Sequence, residues 1–248
     1  MRATAVVAAL VVVLGAGCGS DKSGAGPKVP AAAPTAAVTP LSEKTPAQGK
    51  GGSSHKPQVL QMPDGVPMAG GVQYSTSKFA VEIHFVEPDG MAYPFAADTD
   101  SPTFVDIETD DTGGVLFLAP QKLYTSSGKL DKAPSDLLSA LKSNDLLTVS
   151  GESPVAVGGV HGMQAQVAAK TIPHAKWAFC GDTACVPVME VQSGPPYGIL
   201  KGITYTYYFL TVGGRRIIIS IEGNSGSGYK TFYQNALKLV KTIKFASK

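Results

Sequence analysis

Residues 79–86 alternate apolar and polar positions, with Phe79, Val81, Ile83 and Phe85 on one face. That two-residue period predicts a half-buried strand. Residues 104–110 alternate in the same way and place Asp106, Glu108 and Asp110 on the face expected to be wet. Asp111-Thr112-Gly113-Gly114 reads as a turn into the more apolar run 115–120, so this stretch predicts a hairpin. A helix is expected after Ala133, with Pro134 in its first turn and Leu137, Leu138, Ala140 and Leu141 as its apolar stripe. Strand patterns resume at 146–149, 155–157, 160–168, 186–191, 203–212 and 215–222, and Gly213-Gly214 joins the last two as a tight hairpin. A closing helix over 229–241 carries Phe232, Ala236, Leu237 and Val240 on one face, and Ile243 and Phe245 extend its apolar surface. Strands joined by short turns, with one helix inside the series and one at its end, predict an α+β fold: an antiparallel β-sheet with helices packed on one face.

The pattern has a sharp beginning. From Gly19 to Val72 the chain is mostly Gly, Ala, Pro, Ser, Thr and Lys, too poor in large apolar groups to order its backbone. It reads as a disordered tether with a mean reach of ~40 Å, taking ~5–6 Å × √n. Before it, Arg2 precedes an apolar run, residues 3–17, that ends in small residues at Cys18. Such a run is short for a permanent membrane span and has the form of a secretory leader. The expected organisation is therefore a leader at 1–17, a linker at 18–72 and one globular domain at 73–248.

Leu14-Gly15-Ala16-Gly17-Cys18 resembles the lipobox of bacterial lipoproteins, with Leu14 four residues before the cysteine instead of three. A looser lipobox of this kind is similar to those of high-GC Gram-positive bacteria. The resemblance implies that Cys18 is lipidated, with palmitate-type chains, and holds the protein to the extracytoplasmic face of the cell membrane. Two or three acyl chains anchor stably, whereas one binds marginally, at ~0.8 kcal/mol per buried CH₂.

A second resemblance covers the folded region. Its residues are Pro134-x-x-Leu137-Leu138, Val155-x-Val157-Gly158-Gly159-x-x-Gly162, Cys180-x-x-x-x-Cys185-x-Pro187, the turn at Gly213-Gly214 and the ending Thr242-Ile243-Lys244-Phe245. This layout resembles a family of actinobacterial membrane-anchored lipoprotein domains, similar to PsbP-like folds and to LpqN-type mycobacterial lipoproteins. It implies a fold and carries over no catalytic residues.

Composition narrows the function classes. Among 248 residues the formal net charge is +2, and Arg215-Arg216 is the nearest thing to a basic cluster. Neither suggests a nucleic-acid partner, and the arginine pair reads as a solvated strand end. With Cys18 acylated, Cys180 and Cys185 are the remaining thiols. In an oxidising compartment they are expected to form a disulfide, a local clip worth ~2 kcal/mol. A metal site with His174 or a redox pair are the alternatives.

The catalytic signatures fail in turn. Residues 223–231 imitate a phosphate-binding loop, but Tyr229 stands between Gly228 and Lys230 and breaks the motif. The carboxylates from Asp106 to Asp111 lack the Gly and Glu of a calcium loop, since Asp111 and Phe117 occupy those positions. They read as a solvated face with weak cation binding as the lesser reading. There is no G-x-S-x-G elbow, and His55, His84, His161 and His174 show no triad spacing. Tyr205, Tyr207, Tyr208, Trp177, Tyr197 and Tyr93 are candidates for an aromatic groove, with core packing as the commoner alternative. The expectation is a non-catalytic binding or interaction domain, with no cofactor, whose partner is an envelope protein or glycolipid. An envelope hydrolase and a lipid carrier are the competing readings.

Overall fold

The structure is a computed structural model that describes residues 59–91, 94–109, 113–191, 195–224 and 226–246. The leader, Cys18 and residues 19–58 of the linker lie outside the described residues, as do Tyr93, Asp110 and Asp111.

In chain order the strands begin β1 (Val59–Gln61), β2 (Gln73–Ser75), β3 (Glu82–Val86), β4 (Ala96–Asp100), β5 (Phe104–Thr109), β6 (Gly113–Leu118), β7 (Lys122–Tyr124) and β8 (Leu130–Lys132). Helix α1 (Leu137–Lys142) follows, and then β9 (Leu147–Val157), β10 (Val160–Ala169), β11 (Phe179–Cys180), β12 (Thr183–Ala184), β13 (Val186–Met189) and β14 (Tyr197–Ile199). The chain closes with β15 (Ile203–Val212), β16 (Arg215–Asn224), helix α2 (Tyr229–Thr242) and β17 (Lys244–Ala246).

A seven-stranded sheet in the order β4-β5-β6-β16-β15-β10-β9 forms the centre, and every neighbouring pair in it is antiparallel. Its middle strand explains the layering. Ile217, Ile218 and Ile219 are consecutive and all fully buried, so β16 has no wet face. One face of the sheet joins Ile83 and Phe85 of β3 and Phe232, Ala236 and Leu239 of α2 in a common core. The opposite face packs against Val186, Val188 and Met189 of β13, Ile199 of β14 and Leu137 and Leu141 of α1. Burial of both faces is the main stabilising term, at ~25 cal/mol per Å² of apolar surface.

This corrects the expected class. Of the described residues 51% are strand, in several antiparallel sheets, and 11% are helix, so the fold is not an α+β sheet with helices on one face. The physical reason is area. Helices of six and fourteen residues are about 9 and 21 Å long at 1.5 Å per residue, too little to cover two sheet faces. Strands cover most of them instead: the sheet β1-β2-β3-β17 on one side and the sheet β14-β13-β7-β8 on the other.

Local signals account for several details. The β15–β16 hairpin turns on Gly213 and Gly214, with φ of 55° and 77°, as a two-residue turn with both central residues left-handed requires. Asp136 caps α1, its Oδ1 accepting the Ser139 N–H at 2.9 Å. Where two strands were expected at 146–149 and 155–157, β9 runs unbroken. Its register shift sets Gly151 and Glu152 against Ala165 alone, and Pro154 is tolerated because β9 is a sheet edge.

Residues 59–72, which composition placed in the linker, contribute to the fold. β1 pairs parallel to β2, the Gly65 N–H donates to Ala97 O at 2.8 Å, and the Met68 N–H donates to Phe95 O at 2.8 Å.

Candidate functional site

The central sheet carries two polar rows across an otherwise apolar face. In one row the register sets Asp106 of β5 opposite Leu116 of β6, Leu116 opposite Ser220 of β16, and Ser220 opposite Tyr207 of β15. In the next, Glu108 faces Gly114, Gly114 faces Glu222, and Glu222 faces Tyr205. Gly114 thus stands between the carboxylate positions Glu108 and Glu222. A Cβ there would stand 3.4 Å from Asp106 Oδ1 and 3.2 Å from Leu116 Cδ1, so the Asp106 side chain already leans over the glycine. Tyr197 of β14 closes the site from the covering sheet, its ring 6.4 Å from that of Phe104.

The hydroxyls form a relay. Tyr207 O–H donates to the Tyr197 oxygen at 3.2 Å, and Tyr197 O–H donates to Glu222 Oε2 at 2.7 Å. Ser220 Oγ lies 3.4 Å from the Tyr197 hydroxyl, and the Tyr205 oxygen accepts the Leu200 N–H at 3.1 Å. Such chains strengthen when desolvated.

Electrostatics make these carboxyls unusual. Burial pushes Glu222 up to about 7, opposed by the Tyr197 hydrogen bond, while the charge of Glu108 pushes it further up. Asp106 is raised well above the ordinary carboxylate range, first by burial and then by Glu222, Glu108 and Asp98. Burial also lifts Tyr197 and Tyr207 well above the usual phenol range, so both remain donors. Among the described residues no Lys, Arg or His pairs with Asp106 or Glu222; the ion pairs seen are His84–Glu82, Lys122–Glu190, Lys129–Asp131 and Lys142–Glu152. Asp106 and Glu222 therefore lie near each other beside Gly114, with no counter-charge paired to either among the described residues. The arrangement can hold protons, or accept a cation with the Tyr197 and Phe104 rings as an aromatic wall.

The residues singled out in the sequence are distributed around this cluster. Cys180 and Cys185 form a disulfide, with Cα atoms 5.9 Å apart. Asp106 is half-buried in the cluster, because the covering sheet reaches that side of β5 where Tyr197 meets Phe104; Glu108, further along the same side, is exposed as expected. His84 pairs with Glu82 on β3 at 2.8 Å, His161 and His174 are exposed, and His55 lies outside the described residues. Tyr205 and Tyr207 enter one core and Tyr208 the other, while Trp177 packs over Gly128, so these rings do not share one groove. Arg216 is not simply a solvated strand end: its guanidinium donates to Ala133 O at 2.7 Å and to Pro134 O, fixing the entry to α1.

Sequence reasoning missed Glu222 and Ser220. The available signal was the run Ile217-Ile218-Ile219, which has no strand alternation and so announces a strand buried on both faces, polar residues included. Among the described residues no group of three His, Cys, Asp or Glu side chains is arranged to hold a metal ion, and no helix is long and apolar enough to cross a membrane. Comparison of the chain with protein-family models, with curated proteins and with solved structures found no match.

Proposed function

We propose that this chain is an envelope lipoprotein, held by acyl chains on Cys18 to the outer face of a membrane, whose folded region is a non-catalytic binding domain for a ligand or partner bearing an organic cation. The leader and the lipobox resemblance support the address. The observation that carries the binding reading is the pair Asp106 and Glu222, gathered beside Gly114 without a cationic partner among the described residues. A primary ammonium supplies the missing charge, donates to both carboxylates and lies against the Tyr197–Phe104 rings.

The proton is its competitor. Because Glu222 titrates at about 7, roughly a tenth of it is ionised at pH 6 and roughly nine-tenths at pH 8. Affinity for n-butylammonium, measured by titration calorimetry, is expected to rise about tenfold between those values. Glu222→Gln should weaken it at least about tenfold at pH 8, the loss of one charge-assisted hydrogen bond, and 1-butanol should not compete. Equal binding of n-butylammonium by the wild type and Glu222→Gln, or none by the wild type, overturns the reading.

A further inference from the structure

The Cys180–Cys185 bridge lies against β14. A Cβ on Gly198 would collide with Cys180 Sγ and come within 3.0 Å of Cys185 Sγ and 2.7 Å of Val186 O, so the disulfide occupies the space a side chain would need. Gly198 pairs with Pro187 of β13, and its neighbour Tyr197 pairs with Met189. Successive residues of a strand point to opposite sides. The disulfide therefore bears on one side of β14, and Tyr197 reaches from the other side to Glu222. β14 is three residues long and is an edge of its sheet, paired with β13 alone. Beyond that ladder β14 is held to the central sheet by the buried Ile199 and by the Leu200 N–H on the Tyr205 oxygen, and the disulfide bears on it at Gly198.

We propose that the Cys180–Cys185 disulfide is a positioning device for the Glu222 site: seated on Gly198, it fixes β14 so that the Tyr197 hydroxyl stays on the Glu222 carboxylate. The geometry of the site then depends on the oxidation state of the two cysteines, and this rests on reading Glu222 as part of the binding site. Opening the bridge breaks the S–S bond and takes two electrons and two protons from a dithiol, which is itself oxidised to a disulfide. The two thiol sulfurs cannot stay at bonding distance, so the contact with Gly198 is rebuilt and Tyr197 moves with it.

The test follows the Glu222 carboxyl by NMR in the full chain labelled with glutamate carrying carbon-13 at the side-chain carboxyl, the resonance being assigned by its loss in Glu222→Gln. Tyr197→Phe should raise the Glu222 midpoint by about one pH unit, because a hydrogen bond to the ionised form is lost. Cys180→Ser with Cys185→Ser should shift it the same way, and adding Tyr197→Phe to that pair should move it no further. A wild-type midpoint in the double serine variant overturns the proposal while leaving the site intact, and so does an unshifted midpoint in Tyr197→Phe. A double serine variant that fails to fold makes the bridge a general staple, which also overturns it. No ligand is present in this titration, so failure of ammonium binding is a separate result.

Discussion

Glu87 sits two positions beyond Phe85 and four beyond Ile83, on the buried side of the strand that leads into it. It is fully buried; Oε1 accepts the Phe95 N–H at 2.9 Å, and Oε2 has no partner among the described residues. Burial raises its pKa from 4.5 to about 7, against the opposing pull of the Phe95 N–H. Between those values the folded protein keeps a proton that the unfolded chain has released. The stability tied to Glu87 is therefore complete below about 4.5, falls as pH rises to about 7, and is flat beyond; the total is on the order of 3 kcal/mol. Glu222 works in the same direction. Urea unfolding should show stability declining from pH 5 to 7.5. Glu87→Gln should flatten that slope and be the more stable protein at pH 8, without an advantage at pH 4.5; an unchanged slope would refute the assignment. The alternation read over residues 79–86 stops one position short of this carboxyl, so its burial was not foreseen. Asp106 was misplaced because its alternation is sound but its face of β5 is partly covered, at Phe104 and Asp106 though not at Glu108, and nothing local to residues 104–110 reveals the covering sheet.

Elements with local instructions were readable. The β15–β16 hairpin follows from two glycines that accept positive φ, and α2 follows from the spacing of Phe232, Ala236 and Val240. Elements defined by distant partners were not. β17 is three residues long and exists by pairing Phe245 with Ile83, so in the sequence Phe245 looked like more helix surface. β1 is equally short and takes its place from Gln73 and Tyr74. The long pair β10–β15 offers a test of how tightly distant strands are fitted. Gly162 faces Leu210, and a Cβ there would strike the Phe209 carbonyl and stand 2.7 Å from Leu210 Cδ2. The backbone carbonyl cannot step aside without breaking the ladder, so Gly162→Ala should cost about 1–3 kcal/mol in thermal or urea unfolding. A cost within a few tenths of zero would mean that the two strands yield at this point.

At the scale of the molecule, the composition of residues 59–72 hides their part in the fold. Met68 is 2% exposed and belongs to the core with Phe95. A chain beginning at Gln73 loses that side chain together with the Gly65–Ala97 and Met68–Phe95 bonds. It should be less stable than one beginning at Val59 by at least about 3 kcal/mol, the usual cost of emptying one large core position. Equal urea midpoints for the two chains would remove residues 59–72 from the stability of the fold. The sequence revealed many strands and two helices but not the layering, because a central sheet sandwiched between two smaller ones depends on contacts far apart in the chain. That sandwich leaves β9 as one margin of the central sheet, eleven residues with open backbone groups. Pro154 offers no N–H to a newcomer, and the bulge at Gly151–Glu152 bends the margin out of line. Copies that meet along β9 consequently find a poor seam for zipping together.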